Sequence, residues 1–219
     1  MTTGNGDQFN VSRRSFIQTL GVSAAAGALQ AKAAALVEDR RPDGPAVLGP
    51  DPVAIELKVN GKATPLTVEP ATTLLEALRL HAGLTGSKEI CDRGSCGGCS
   101  VIIDGKLMVS CMLLAVDTVG SEITTIEGLA KGDKLDPVQE MFVKHDALQC
   151  GYCTPGLVMA SRSLLNDIPK PTLDQIKHWL SGNICRCGTY TNIFNAVLEA
   201  SGQSPVSDSP APLAAGKGN

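Results

Sequence analysis

The chain has 219 residues, 43% of them hydrophobic but only 3% aromatic, with a formal net charge of −3 and eight cysteines. That apolar share can build a core and excludes a wholly disordered chain. The small acidic excess, without a long basic run, offers nucleic acid no electrostatic footprint, and no run of about 18 apolar residues marks a membrane-spanning helix.

The chain opens with an address. Ser12-Arg13-Arg14-Ser15-Phe16-Ile17-Gln18 leads into a mildly apolar stretch to about Ala31, and Ala31-Lys32-Ala33 offers an A-x-A cleavage site. The order of arginine pair, apolar stretch and cleavage site resembles a twin-arginine export signal, so residues 1–33 are expected to be removed and the mature chain to be periplasmic. Cleavage would take away Arg13, Arg14, Lys32 and Asp7 and move the formal charge from −3 to −5. Residues 34–52, with Pro42, Pro45, Pro50 and Pro52, read as a linker, and residues 201–219 as a loose tail. An even cysteine count in an exported protein would ordinarily mean disulfides. The resemblance implies export of an already folded, cofactor-loaded chain, which favours metal-capped thiolates.

From residue 53 the pattern is β-rich. Val53, Ile55, Leu57 and Val59 alternate, Asn60-Gly61 marks a two-residue turn, and Leu66 and Val68 return the chain. Thr73 and Glu76 make a capping box for a helix carrying Leu74, Leu75, Leu78 and Leu80 and stopping at Gly83. Val101–Val109 reads as a second hairpin, turned at Asp104-Gly105, and a strand near Ile123–Ile126 completes a small mixed sheet.

The first cysteine set lies here: Cys91, Cys96 and Cys99 in a C-x4-C-x2-C run, then Cys111. This spacing matches plant-type [2Fe–2S] proteins. A loop aiming three thiolates inward also points backbone N–H groups at the sulfurs, and Gly94, Gly97 and Gly98 let the backbone bend that way. Arg93 adds positive charge. Structural zinc prefers two short cysteine pairs and fits poorly, whereas disulfides stay open on counting alone. The glycine-rich loop reads as exposed.

From Asp136 the pattern turns helical. Asp136-Pro137 opens a helix to about Lys144. Thr154-Pro155 opens a second, with Leu157, Val158, Leu164 and Leu165 on its apolar side. Thr172 and Gln175 cap a third through Trp179 and Leu180 to Gly182, and a fourth runs from about Thr191 to Ala200. The second set is Cys150 and Cys153, then Cys185 and Cys187 after 31 intervening residues. C-x2-C occurs in zinc and redox sites alike, while C-x-C favours one metal centre over a relaxed disulfide. These cysteines sit at helix ends, where N-termini favour anionic groups. Two units of this size commonly need metal staples.

The stretches CDRGSCGGCS with Cys111, LQCGYCTPG, and GNICRCGTY with Asn192 together resemble the two-[2Fe–2S] part of the xanthine oxidase family of molybdenum hydroxylases. The resemblance covers about residues 53–200. It implies an α+β fold: a plant-ferredoxin-like β-grasp domain over 53–128, then a four-helix-bundle domain over 129–200, with one [2Fe–2S] cluster on each cysteine set. Since no flavin or molybdenum domain is present in these residues, it implies an electron-transfer subunit of a hetero-oligomer. With the export signal, the expectation is a periplasmic aldehyde oxidoreductase. A large subunit would hold molybdopterin, as its cytosine dinucleotide, and an FAD-binding subunit or a cytochrome would accept the electrons. An N-heteroaromatic substrate is the alternative, and an exported zinc or disulfide protein the reading of another class.

Gln149, before Cys150, stands where the family uses a glutamine to hydrogen-bond the pterin. Arg186 reads equally as a charge beside the second set or a solvated arginine. Tyr152 and Tyr190 are expected to pack, Trp179 to lie in the core, and Met141 and Met159 to fill gaps. His81, His145 and His178 fit no ligand spacing.

Overall fold

A computed structural model describes residues 48–206. The export signal, most of the linker and the last part of the tail fall outside them. Strand β1 (Val53–Val59) pairs antiparallel with β2 (Lys62–Val68). Asn60 and Gly61 both take positive φ, 52° and 76°, as the two-residue turn demands. The second hairpin joins β3 (Ser100–Ile103) to β4 (Lys106–Val109) through Asp104 and Gly105, again both at positive φ. Strand β5 (Glu122–Thr124) fills the gap between the hairpins, parallel to β1 and antiparallel to β3, giving the order β2-β1-β5-β3-β4.

Helix α1 (Leu74–Glu76) starts on the expected capping box and widens into a π-turn over Ala77–His81, where Ala82 N–H reaches back to Ala77 O. Leu74, Leu75 and Leu78 are buried, but Leu80 is 75% exposed. It lies about 200° around the helix from Leu78, off the buried face. Leu57, Val59, Val68, Leu74, Leu78 and Ile123 form the sheet core. It contains no aromatic ring, as the composition foreshadows.

The helical half contains α2 (Pro137–Lys144), α3 (Thr154–Asp167), α4 (Leu173–Trp179) and α5 (Tyr190–Ala200). Asp136 and Thr172 cap α2 and α4, each in a full capping box with Gln139 and Gln175. The second of these helices starts at Thr154-Pro155, as expected, but without a capping side chain. Cys153 is its cap residue and makes no side-chain capping bond, and the Thr154 hydroxyl is buried without a partner. Beyond its apolar side, Met159, Ala160, Ser161 and Ser163 are buried too, which leaves Arg162 and Asn166 on its open stripe, because it lies between the helical core and the cysteine-bearing end of the sheet. Phe142, Leu157, Leu164, Ile176, Leu180 and Ile193 centre the helical core. Trp179 is half-buried at its margin, with its indole Nε1 buried and unpartnered.

The first residues of the tail are tied down rather than loose. Gln203 Nε2 donates to Pro171 O at 2.9 Å, and Val206 N–H donates to Asn195 Oδ1 at 2.9 Å. Among the described residues no helix is long and apolar enough to cross a membrane.

Candidate metal centres

The first cysteine loop hangs between α1 and β3 and is fixed at both ends. Arg79 donates to Thr85 O and Ser87 O at 2.9 and 2.8 Å, and Lys88 N–H donates to Gly98 O at 3.0 Å. Hairpin β3–β4 then brings Cys111, in the short turn Ser110–Met112, beside the loop. Ser110 secures it by donating to Cys99 O at 2.8 Å through its hydroxyl. The loop's N–H groups point at sulfur, as the glycine pattern suggested. Gly94 N–H donates to Cys111 Sγ at 3.3 Å, and the N–H groups of Arg93, Ser95 and Cys96 face Cys91.

The thiols come in facing pairs: Cys91 with Cys96, and Cys99 with Cys111. The Arg93 N–H, then the Cys96 thiol, pull Cys91 down to about 7. Burial pushes Cys96 up, and pushes Cys111 up to about 11.

The second set repeats the scheme with Cys150 facing Cys187 and Cys153 facing Cys185. The Tyr152 N–H and the Cys187 thiol lower Cys150. At Cys187 the Cys150 N–H acts downward, but the facing Cys150 thiol, burial and the Cys185 charge outweigh it and raise the thiol. Burial lifts Cys153 to about 12. At Cys185 burial acts upward too, yet the Thr189 hydroxyl and N–H, the Cys153 thiol and the Gly188 N–H hold it at about 7. Tyr190 packs as expected, its ring 6.1 Å from that of Phe194, and its hydroxyl also accepts the Cys185 N–H at 2.8 Å.

All eight cysteines are free. Among the described residues no group of three or more histidine, cysteine or acidic side chains closes around a single ion. Two facing thiol pairs per set and a ring of N–H donors suit a binuclear cluster. Bound iron would release the retained protons and match the donors to an anionic sulfur cage.

The two sets differ in cover. Cys96, Cys99 and Cys111 are 8%, 3% and 6% exposed, so the glycine-rich loop, expected to be open, holds its sulfurs inside. Cys150 and Cys187 are exposed. Around them Gln149, Arg186, Tyr152 and Ile184 also face outward, which corrects the packing role expected of Tyr152. The histidines stay out of both sets, and His145 pairs with Glu199 at 2.6 Å.

The sets meet along a seam that the spacing did not reveal. Ile184 N–H donates to Cys96 O at 2.9 Å, and Asn183, 5% exposed, donates through Nδ2 to Gly97 O at 3.0 Å. Asn183 lay inside the GNICRCGTY stretch, but an asparagine there carries no spacing signal of its own.

Residues 57–122 match the 2Fe-2S iron-sulfur cluster binding domain, and residues 125–198 match the [2Fe-2S] binding domain. The chain is 41% identical over 211 residues to the aldehyde oxidoreductase iron-sulfur-binding subunit PaoA of Escherichia coli O157:H7, covering 89% of this chain and 90% of that one. It is 44% identical to the nicotine 6-hydroxylase small subunit of Paenarthrobacter nicotinovorans, covering 70% and 92%. The crystal structure of quinoline 2-oxidoreductase from Pseudomonas putida 86 contains a chain matched at a TM-score of 0.66 and 43% identity, over 71% of this chain and 99% of that one. With both cluster-binding domains in order and relatives matched over nearly their whole length, the chain belongs to the xanthine oxidase family of molybdenum hydroxylases, as its two-[2Fe–2S] iron–sulfur subunit.

Proposed function

We propose that this chain is the electron-transfer subunit of a periplasmic, molybdenum-containing aldehyde oxidoreductase. Cys91 and Cys96 hold one iron of the first cluster and Cys99 and Cys111 the other. Cys150 with Cys187, and Cys153 with Cys185, do the same for the second. When bound, the clusters supply one-electron carriers between a partner's molybdopterin, as its cytosine dinucleotide, and an FAD-binding subunit or cytochrome. The chain's own residues hold the thiolates, keep water from the first set, and present the second set at the surface. The sheet half over 53–128 is read as a β-grasp domain and the helical half over 129–200 as a four-helix bundle.

The observation that carries this reading is the uneven cover of two similarly built thiol sets. Cys150 and Cys187 lie on an open face beside exposed Gln149. Next to them runs an apolar groove of about 200 Å³ lined by Phe142, Val143, Leu148, Pro155 and Val158. A face that is apolar, open and adjacent to thiolate ligands suits a large subunit that brings its pterin to Gln149. Export by the twin-arginine route follows from Arg13-Arg14. Aldehyde as substrate is supported by the alignment with PaoA, which runs through 89% of the chain where the nicotine 6-hydroxylase subunit covers 70%. The nicotine and quinoline relatives, at 44% and 43% identity, favour the N-heteroaromatic alternative.

The test is purification from the periplasm together with the co-expressed large subunit. The reading expects about four irons per chain and the brown absorption of [2Fe–2S] proteins. An aldehyde should bleach that absorption. Bleaching by nicotine or quinoline but by no aldehyde selects the heteroaromatic reading, and a colourless zinc protein overturns both.

A further inference from the structure

We propose that Asn183 is a positioning residue which, wedged between Gly97 and the rest of the seam, fixes the spacing of the two cysteine loops and so sets the electronic coupling between the two centres. This rests on the reading of the eight thiols as cluster ligands.

Asn183 is a polar side chain almost wholly withdrawn from water, and each contact of its amide Nδ2 runs to the other half of the chain. Nδ2 donates to Gly97 O at 3.0 Å and to Ser100 Oγ at 3.4 Å, while Ser100 Oγ itself donates to Gly97 O at 2.7 Å. The Gly97 carbonyl therefore receives donors from both halves. Its neighbours on either side in sequence are Cys96 and, beyond Gly98, Cys99. On its own side, Asn183 stands two residues before Cys185, with its N–H bonded to Leu180 O at 2.9 Å. The Ile184 N–H bond to Cys96 O lies directly alongside. A change in the seat of one amide is thus felt by a ligand of each set.

Two glycines show how closely the seam is fitted. Gly97 takes φ of 70°, and a Cβ there would run into the Asn183 amide and come within 2.7 Å of Gly182 O. Gly156, in the first turn of α3, lies so close to Gly97 O that a Cβ would overlap it and would stand 3.0 Å from Gly98 Cα. Since α3 begins at the Cys153 cap, a side chain at 156 would wedge the second set away from the first through rigid backbone. Buried polar groups of this sort are costly unless satisfied, and here the satisfying partners all lie across the seam.

The test uses the full mature chain assembled with its partner subunits, with both centres reduced by dithionite. Low-temperature paramagnetic resonance reads two things: the g-values of each cluster, which report its own ligands, and the spin–spin splitting between them, which reports their separation and orientation. Asn183→Ala should keep both sets of g-values and the iron content while narrowing the splitting. Gly156→Ala should narrow it further. Ile176→Val, which loosens the helical core away from the seam, should leave it as in the wild type. If Asn183→Ala and Gly156→Ala lose iron, Ser100→Ala, which removes one acceptor of the amide and the second donor to Gly97 O, decides: a narrowed splitting supports the proposal. An unchanged splitting in the variants that keep both clusters overturns it. A wild-type chain without two [2Fe–2S] signals instead overturns the assignment of the thiols.

Discussion

Around Cys96, Cys99 and Cys111 the chain supplies its own roof: α1 through Leu75, the β4 turn, and the Asn183 segment from the far half of the sequence. Around Cys150 and Cys187 it supplies ligands and N–H donors but no roof. The same chemistry, two thiol pairs and a ring of amides, is therefore housed in two ways. The first set is completed within one chain. The second leaves two of its four thiols exposed, which suits the docking of a large subunit proposed above.

The largest effect that could break this comparison comes from the ligands. Cys96→Ser removes a buried ligand; the Cys96 carbonyl that holds Ile184 stays, but a loop without its cluster no longer seats it, so the variant should lower iron in both sets and collapse the melting transition, because metal binding and folding are coupled. Cys150→Ser removes an exposed thiol away from the seam and should cost only its own cluster, about half of the iron. Iron per chain, measured beside thermal unfolding, separates the two. Equal losses would mean that burial and the seam do not distinguish the sets.

A smaller effect should sharpen the contrast in cover. Val143→Asp, in the apolar groove and on a side chain 69% exposed, should weaken capture of the large subunit by about 1–2 kcal/mol, roughly tenfold in Kd. Met112→Asp, 61% exposed beside the first set, should leave that affinity within about twofold. Calorimetric titration of the chain with the large subunit measures both. A loss confined to Met112→Asp would place the partner on the wrong set.

The smallest effect concerns a cost that only the helical half carries. Among the described residues, the buried side-chain polar atoms without partners are Thr154 Oγ1 and Trp179 Nε1, both in helices of that half. Thr154→Val keeps the shape and removes the orphaned hydroxyl, so it should stabilise the chain by about 1 kcal/mol, or about 2–4 °C in Tm. If it instead destabilises, the hydroxyl has a partner in the assembled protein, and the groove it lines is where to look.

Local chemistry made much of this legible in advance. Asn60-Gly61 and Asp104-Gly105 announce both hairpins, Thr73–Glu76 and Thr172–Gln175 announce two helix starts, and the spacing of the first four cysteines announces a [2Fe–2S] loop. Asp136–Gln139 carries the same capping signal and could have been read the same way. What stayed hidden is non-local. The parallel pairing of β1 with β5 joins residues more than sixty positions apart, and nothing in either strand specifies that partner. The burial of α3 beyond its apolar side, Ser161 and Ser163 included, depends on packing against elements distant in sequence, β3 and β4 among them. The cover over the first set stays hidden for the same reason. A glycine-rich loop reads as open until the segment that covers it, eighty-odd residues later, is in place.

That last dependence has a consequence for the order in which the protein is made. The chain leaves the ribosome from its N-terminus, so the thiols of Cys91, Cys96, Cys99 and Cys111 emerge well before the segment at 182–184 that seats Gly97 and receives the Cys96 carbonyl. Until that segment arrives the loop lacks part of its cover, and its carbonyls at 96 and 97 have only water and Ser100 to bond. The first site in the sequence is thus finished late: its lasting enclosure must wait until synthesis has passed Cys150 and Cys153 and reached the residues just before Cys185.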